Sequence, residues 1–153
     1  MLREILKIGD ETLTKKSRPV TDFNQKLFDL LDDMHETLLS VGGIGLAAPQ
    51  VSILRRLFII HLDDKQFEFI NPEIIKTEGE YTPVEGCLSV PGVFGTVKRP
   101  IKTTVKFYDR HGDLFELTGE EIFSQAINHE YDHLNGKLFK NSIIEIVEPD
   151  EDK

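Results

Sequence analysis

The feature that most constrains this fold is a pair of histidines four residues apart. They occur in the segment His129-Glu130-Tyr131-Asp132-His133. Residues at this spacing share one face of an α-helix, with Cβ atoms roughly 5–6 Å apart, so both imidazoles can bind one metal ion. The carboxylate of Glu130 then lies beside the metal, where it can accept a proton from an activated water. Two ligands do not complete such a site. The fold must therefore turn this helix face inward, toward a third ligand.

Length and composition indicate one ordinary domain. The chain has 153 residues, and 27 acidic against 18 basic residues give a net charge of −9. This acidity argues against a nucleic-acid site or binding to an anionic membrane, because both need a basic surface. We expect one domain at 1–147 and an acidic, disordered tail at 148–153.

The cysteine content and the hydropathy pattern bear on the compartment. The single cysteine, Cys87, excludes an internal disulfide and favours a reducing environment. No apolar run approaches the ~18 residues of a membrane span, and the N-terminus is too charged for a signal peptide. We therefore expect a cytoplasmic protein; an organellar protein that has lost a targeting peptide remains an alternative.

Apolar periodicity predicts an N-terminal helix. Apolar residues from Phe23 to Leu38 recur at helical spacing with charged residues between them. Thr21 or Asp22 is the expected N-cap, and Gly42-Gly43 is expected to end the helix.

The pattern changes to strands after Leu54. Residues 57–62 and 67–70 flank a turn at 63–66, and residues 102–108 and 114–117 flank a turn at 109–113, so two hairpins are predicted. A second helix follows, with Thr118 and Glu121 as a capping box and with Asn135-Gly136 at its end. We predict an α+β fold, in which antiparallel β-sheets pack around the central helix that carries the two histidines.

The residues alone leave the third ligand open. The candidates are His35, His61, His111, Cys87 and the downstream carboxylates, of which Glu145 and Glu148 belong to a strand-like stretch and a loose terminus. Cys87 follows a glycine that permits close backbone approach, although a lone cysteine is more often a small buried hydrophobe.

Three segments resemble the signature motifs of the peptide deformylase family, in the family's order and with its approximate spacing. They are Gly43-Ile44-Gly45-Leu46-Ala47-Ala48-Pro49-Gln50, Glu85-Gly86-Cys87-Leu88-Ser89 and His129-Glu130-Tyr131-Asp132-His133-Leu134. The resemblance covers nearly the whole chain. It implies a metallohydrolase that removes the formyl group from the N-terminal formylmethionine of newly made polypeptides and releases formate.

The resemblance also implies site residues and a cofactor. Cys87, His129 and His133 are the implied ligands of Fe²⁺, for which Ni²⁺, Co²⁺ or Zn²⁺ can substitute. Glu130 is the implied general acid and base, while the Gln50 amide and the Leu88 N–H stabilise the oxyanion. The substrate is expected to contact Gly43, Ile44, Gly45, Glu85, Gly86, Ile122, Gln125, Ala126 and His129. The carboxylate of Glu85 is further expected to pair with Arg99.

Two segments depart from the commonest family pattern. Pro91-Gly92-Val93-Phe94-Gly95 is apolar where many relatives carry a charge, so Phe94 is expected near the substrate residues that follow methionine. Several relatives of the family have a C-terminal helix that helps docking at the ribosome, and this chain has an acidic segment in its place. We therefore expect no tight docking through that segment and at most a transient ribosome contact.

Two other functions remain as alternatives. One is a metallopeptidase or another amidase that takes its third ligand from a downstream carboxylate. The other is a metal- or peptide-binding module without catalysis.

Overall fold

Two antiparallel sheets and two long helices make up residues 1–148, the part of the chain that this computed structural model describes. The helices are α1 (Gln25–Val41) and α2 (Ile122–Leu134), and short 3-10 turns occupy Glu11–Thr14, Ala48–Val51 and Phe139–Asn141. The strands are β1 (Gly45–Ala47), β2 (Leu57–Leu62), β3 (Lys65–Glu78), β4 (Val84–Cys87), β5 (Val90–Thr96), β6 (Lys102–Tyr108), β7 (Leu114–Glu120) and β8 (Glu145–Val147).

The strands form a five-stranded sheet of order β1-β2-β3-β6-β7 and a three-stranded sheet of order β4-β5-β8. Every pair in both sheets is antiparallel, which confirms the predicted α+β class. The predicted acidic tail falls almost entirely on residues 149–153, outside the described residues.

Helix α1 follows the predicted apolar stripe but begins later than expected. Its N-cap is Asn24, whose side-chain oxygen accepts a hydrogen bond from the Leu27 N–H at 3.2 Å, so the prediction of Thr21 or Asp22 was wrong. The helix ends as predicted, because Gly42 adopts the left-handed conformation (φ 73°) and its N–H donates to the Leu38 carbonyl.

Helix α2 lacks the predicted capping box. Thr118 belongs to β7 instead, where its hydroxyl hydrogen-bonds to that of Thr104 on the neighbouring strand at 2.8 Å. A β-branched residue fits this cross-strand position well. The N-cap is Glu121, which has a positive φ of 53° and no side-chain capping bond, so one residue turns the chain from strand to helix. Asn135 caps the C-terminus, as predicted.

Both predicted hairpins are present. In the first, Leu62 pairs with Lys65, so the turn is Asp63-Asp64 rather than the predicted four residues. Both aspartates have positive φ, as a tight two-residue turn requires. In the second, Tyr108 pairs with Leu114 across the predicted turn, and β7 continues beyond the predicted end to Glu120.

Strand β2 is buried on both faces, which explains its unbroken apolar run. Leu57 and Ile59 join the cluster that contains the inner face of α1, while Phe58 and Ile60 join the cluster that contains the inner face of α2. The large sheet therefore lies between the two helices, with α2 held against one of its faces. Neither helix in residues 1–148 is long and apolar enough to span a membrane.

Candidate metal centre and its cleft

Helix α2 presents both motif histidines on its buried face. The rings of His129 and His133 lie with their centroids 5.1 Å apart, and both residues are buried. Ile127 and Leu134 anchor the same helix in the core beneath the large sheet. The four-residue spacing therefore produces the convergence that the sequence predicted.

The three-stranded sheet supplies the third candidate ligand from the end of β4. The Cys87 sulfur lies 3.4 Å from His133 Nε2, and one ligand atom from each of Cys87, His129 and His133 falls within 4.8 Å of the others. The pairing of β4 with β5 shifts register between Gly86 and Cys87, and such an irregularity re-aims a side chain.

The other candidate ligands do not join this cluster. His35 and His61 hydrogen-bond to each other at 2.7 Å, and Glu145 is exposed on β8. Within residues 1–148, the grouping of Cys87 with the two motif histidines is the one cluster of three that can hold a metal ion.

The chemistry of these donors fits a divalent metal. One thiolate and two imidazoles form a ligand set suited to iron or zinc, and three protein ligands leave a position open. His133 Nδ1 and Glu130 Oε1 are buried and have no hydrogen-bond partner within residues 1–148. Such unpaired buried atoms are uncommon and call for an explanation. Burial and the nearby charge of His129 lower the pKa of His133 to about 3, which keeps it in the neutral form that metal binding requires.

A buried network of charged side chains orients His129. The Glu85 carboxylate accepts hydrogen bonds from His129 Nδ1 and from Arg99 at 2.6 and 3.0 Å, and Arg99 also donates to Asp132 at 2.9 Å. The expected pairing of Glu85 with Arg99 is therefore confirmed. Because His129 Nδ1 is engaged, Nε2 is the ring nitrogen left for a metal.

Contacts within this network set the pKa values of Glu85 and His129. Burial alone would raise the pKa of Glu85, but hydrogen bonds from His129 and Arg99 outweigh burial and lower the pKa to about 2. Burial would lower the pKa of His129, but Glu130, Cys87 and Glu85 outweigh it and raise that pKa well above its usual value. A metal that binds His129 must therefore displace a proton.

The carboxylate of Glu130 lies directly against the backbone of Gly45. A Cβ atom on Gly45 would stand 2.5 Å from Glu130 Oε2, so only glycine leaves room for the carboxylate there. Glu130 is 4% exposed, and this burial raises its pKa to about 7. A carboxyl group with a pKa near neutrality suits both halves of acid–base catalysis.

The side chain of Gln50 is held in one orientation. Its oxygen accepts a hydrogen bond from the Ala47 N–H at 2.9 Å, and its NH₂ group donates to the Ser89 hydroxyl at 3.0 Å. The same nitrogen lies 3.9 Å from the Cys87 sulfur, so the amide donor faces the candidate centre. Sequence analysis assigned no role to Ser89; its position two residues after Cys87 was the available signal. Leu88 lies in the short turn between β4 and β5.

An open cleft of about 450 Å³ runs past these groups. All nine predicted substrate-contacting residues line it, together with Gln50, Cys87, Leu88 and Glu130. Val84 and Val90, which sequence reasoning missed, line it as well. Their signal was weak, since an isolated valine in a strand more often faces a core.

Known proteins match this chain in both sequence and structure. The profile of the polypeptide deformylase family matches residues 2–148. A peptide deformylase of Caldanaerobacter subterraneus subsp. tengcongensis is 49% identical over 150 residues, which is 98% of this chain and 94% of the relative.

Solved structures have the same fold. A crystal structure of a peptide deformylase from Legionella pneumophila superimposes with a TM-score of 0.91 at 44% identity, covering 94% of this chain and 86% of that one. A Met-Ala-Ser-bound structure of a class I type b peptide deformylase from Acinetobacter baumannii gives a TM-score of 0.90 at 32% identity, covering 94% and 99%. The chain belongs to the polypeptide deformylase family.

Proposed function

We propose that this protein removes the formyl group from the N-terminal formylmethionine of newly made polypeptides and releases formate. The observation that carries the proposal is the buried convergence of Cys87, His129 and His133 beside Glu130, at the inner end of an open cleft. Family membership supports it, as does the tripeptide Met-Ala-Ser bound to the Acinetobacter baumannii relative.

Cys87, His129 and His133 would hold the metal, for which we propose Fe²⁺, with Ni²⁺, Co²⁺ or Zn²⁺ able to substitute. A soft thiolate beside two imidazoles accommodates any of these ions. When bound, the metal supplies Lewis acidity that polarises the formyl carbonyl and makes water a better nucleophile.

Glu130 moves the proton. Its carboxylate accepts a proton from the attacking water and returns it to the amine that leaves when the C–N bond breaks. With a pKa raised by burial to about 7, the same group is effective as base and then as acid near neutral pH. Gly45 contributes by leaving space for the carboxylate.

Gln50 and the backbone N–H of Leu88 stabilise the negative charge that develops on the formyl oxygen. Hydrogen bonds to Ala47 and Ser89 fix the Gln50 amide in advance, so no reorientation is needed in the transition state. Removing one donor of this kind typically raises the barrier by ~2.7–4 kcal/mol.

The cleft receives the peptide. Ile44, Ile122 and Ala126 with the His129 ring form an apolar pocket for the methionine side chain. The glycines of the Gly43–Gly45 segment let the substrate backbone approach closely. Glu85 and Arg99 support the site by holding His129. A transient ribosome contact and a cytoplasmic location stay predictions from the sequence.

Anaerobic hydrolysis of formyl-Met-Ala-Ser tests the proposal, with formate release and metal content measured on the same sample. We expect formate in proportion to bound metal, and no cleavage of acetyl-Met-Ala-Ser at a comparable rate. A fully metallated protein that releases no formate would contradict the proposal.

A further inference from the structure

Two histidines outside the cleft form a pair that the proposed mechanism does not use. His35 on α1 and His61 on β2 have nearly parallel rings, and His35 Nδ1 lies 2.7 Å from His61 Nε2. On its other side, His35 Nε2 lies 2.7 Å from the Glu68 carboxylate on β3. Arg110 binds the same carboxylate through two hydrogen bonds of 2.6 and 3.0 Å. The pair thus joins α1 to two strands of the large sheet.

The contact between the two rings depends on how many protons the pair carries. Burial would raise the pKa of Glu68, but hydrogen bonds from Arg110 and His35 outweigh burial and lower the pKa to about 2, so the carboxylate only accepts. His35 Nε2 therefore carries a hydrogen, and the contact between the rings needs a hydrogen on one facing nitrogen and a lone pair on the other. A neutral pair meets this requirement, and so does a pair with one added proton. When both rings are charged, two N–H groups and two positive charges face each other, and the hydrogen bond is lost.

Acid conditions bring the second proton. Burial and the charge of His35 lower the pKa of His61 from its usual 6.5, so neutral His61 stabilises the fold in full above that pH. This stabilisation is lost as the pH falls through the lowered pKa. Solvent reaches the pair from an open cavity of about 500 Å³, and the charged and titratable groups that face it come from three elements: Asp32 and Glu36 from α1, Glu68 from β3, and Asp109 and Arg110 from the β6–β7 turn. The carboxylates favour the first added proton, whereas the second meets the charge of the first.

Both histidines stand on elements that hold one side of the cleft. The backbone N–H of His61 donates to the carbonyl of Ile44 at 2.7 Å, and Ile44 lines the cleft. Three residues after His35 on α1, the side chain of Leu38 packs against Gly43, because a Cβ atom there would lie 3.1 Å from Leu38 Cδ1. A shift of α1 against β2 therefore reaches the cleft segment that begins at Gly43.

We propose that the His35–His61 hydrogen bond is a pH-sensitive support of the substrate cleft. It holds α1 and β2 together behind the Gly43–Gly45 segment, and peptide binding weakens when both rings are protonated. This inference rests on the proposed deformylase function and goes beyond it, since neither histidine lines the cleft or belongs to the metal-binding cluster. The two histidines are positioning residues, so their protonation should change KM more than kcat.

The KM for formyl-Met-Ala-Ser tests the inference, measured between pH 7 and pH 5 with kcat and metal content on the same samples. Below the lowered pKa, one further proton weakens binding by at most about tenfold per pH unit, and we expect the wild-type KM to rise about threefold or more over this range. His61→Gln is the informative variant, because its amide N–H can donate to His35 Nδ1 but takes up no proton. It should keep the KM nearly constant and leave the pH profile of kcat as in the wild type. A binding titration of the product peptide Met-Ala-Ser should show the same difference without catalysis.

His111→Gln is the matched control, because His111 is an exposed histidine on the β6–β7 turn whose ring packs against Phe28. It should retain the wild-type rise in KM. A KM that does not change with pH in the wild type would overturn the inference, and so would an unchanged rise in His61→Gln or a lost rise in His111→Gln.

Two further outcomes are decisive. If His61→Gln does not fold, His35→Gln replaces it, and a wild-type rise in KM in that variant would overturn the inference. Failure to release formate at every pH would instead overturn the proposed function, whereas the Met-Ala-Ser titration would still decide the role of the histidine pair.

Discussion

Gly45→Ala is expected to inactivate the enzyme by moving one carboxylate. The added Cβ would lie 2.5 Å from Glu130 Oε2 and 2.9 Å from its Cγ and Cδ, whereas ordinary contacts begin at 3.4 Å. Glu130 must therefore shift by about 0.9 Å, and its buried surroundings restrict where it can go. A misplacement of about 1 Å at a catalytic group costs roughly 100-fold in rate, so kcat should fall by about that factor.

The assay is steady-state deformylation of formyl-Met-Ala-Ser, with metal content measured in parallel to separate a displaced carboxylate from a loss of metal. Gly119→Ala is the control: its new methyl would meet the side chains of Phe123 and Ile127 at 3.0–3.1 Å, so its nearest contacts do not include Glu130. It should lower stability and leave kcat unchanged. Wild-type kcat in Gly45→Ala would refute the reasoning, as would a loss of activity that merely follows a loss of metal.

Three further predictions concern substitutions of single carboxylates. Glu130→Gln should retain metal and lose roughly 10²–10⁴-fold in kcat; full activity in the metallated variant would contradict its role in proton transfer. Glu85→Gln should weaken metal affinity about 10–100-fold in a chelator titration, because His129 loses its orienting partner; unchanged affinity would contradict that role. Glu68 has its pKa lowered to about 2, because hydrogen bonds from Arg110 and His35 outweigh burial. Its ionised form therefore stabilises the fold above the ordinary pKa of 4.5, and this stabilisation is lost as pH falls toward 2. The difference in unfolding free energy between the wild type and Glu68→Gln should shrink over that range, and a constant difference would be evidence against it.

Local periodicity was enough to predict most of the fold. The helical spacing of α1 and the alternation around both hairpins report burial directly, so these elements stand where the sequence placed them. The errors lie at helix starts and at strand ends, where the first turn is Asp63-Asp64 rather than four residues. Asn24 rather than Thr21 or Asp22 caps α1, and Thr118 pairs with Thr104 across two strands, a contact that no local pattern records.

The candidate site likewise contains residues that local spacing predicts and residues that only tertiary packing positions. The histidine pair is a property of one helix and follows from spacing alone. The position of Cys87 depends on how the three-stranded sheet packs against α2. Residue patterns alone therefore left the identity of the third ligand open, and the family motifs indicated Cys87. The Ser89–Gln50 hydrogen bond and the link from Arg99 to Asp132 join segments distant in sequence, and only the folded chain brings them together.

The measurement that tests the central claim most directly is the metal stoichiometry of Cys87→Ala, with formyl-Met-Ala-Ser hydrolysis followed on the same anaerobic samples. If Cys87 completes the site with His129 and His133, the variant should lose both bound metal and formate release while it keeps its cooperative unfolding transition. A Cys87→Ala protein with full metal content and wild-type turnover would contradict the account, because the third ligand would then have to come from elsewhere.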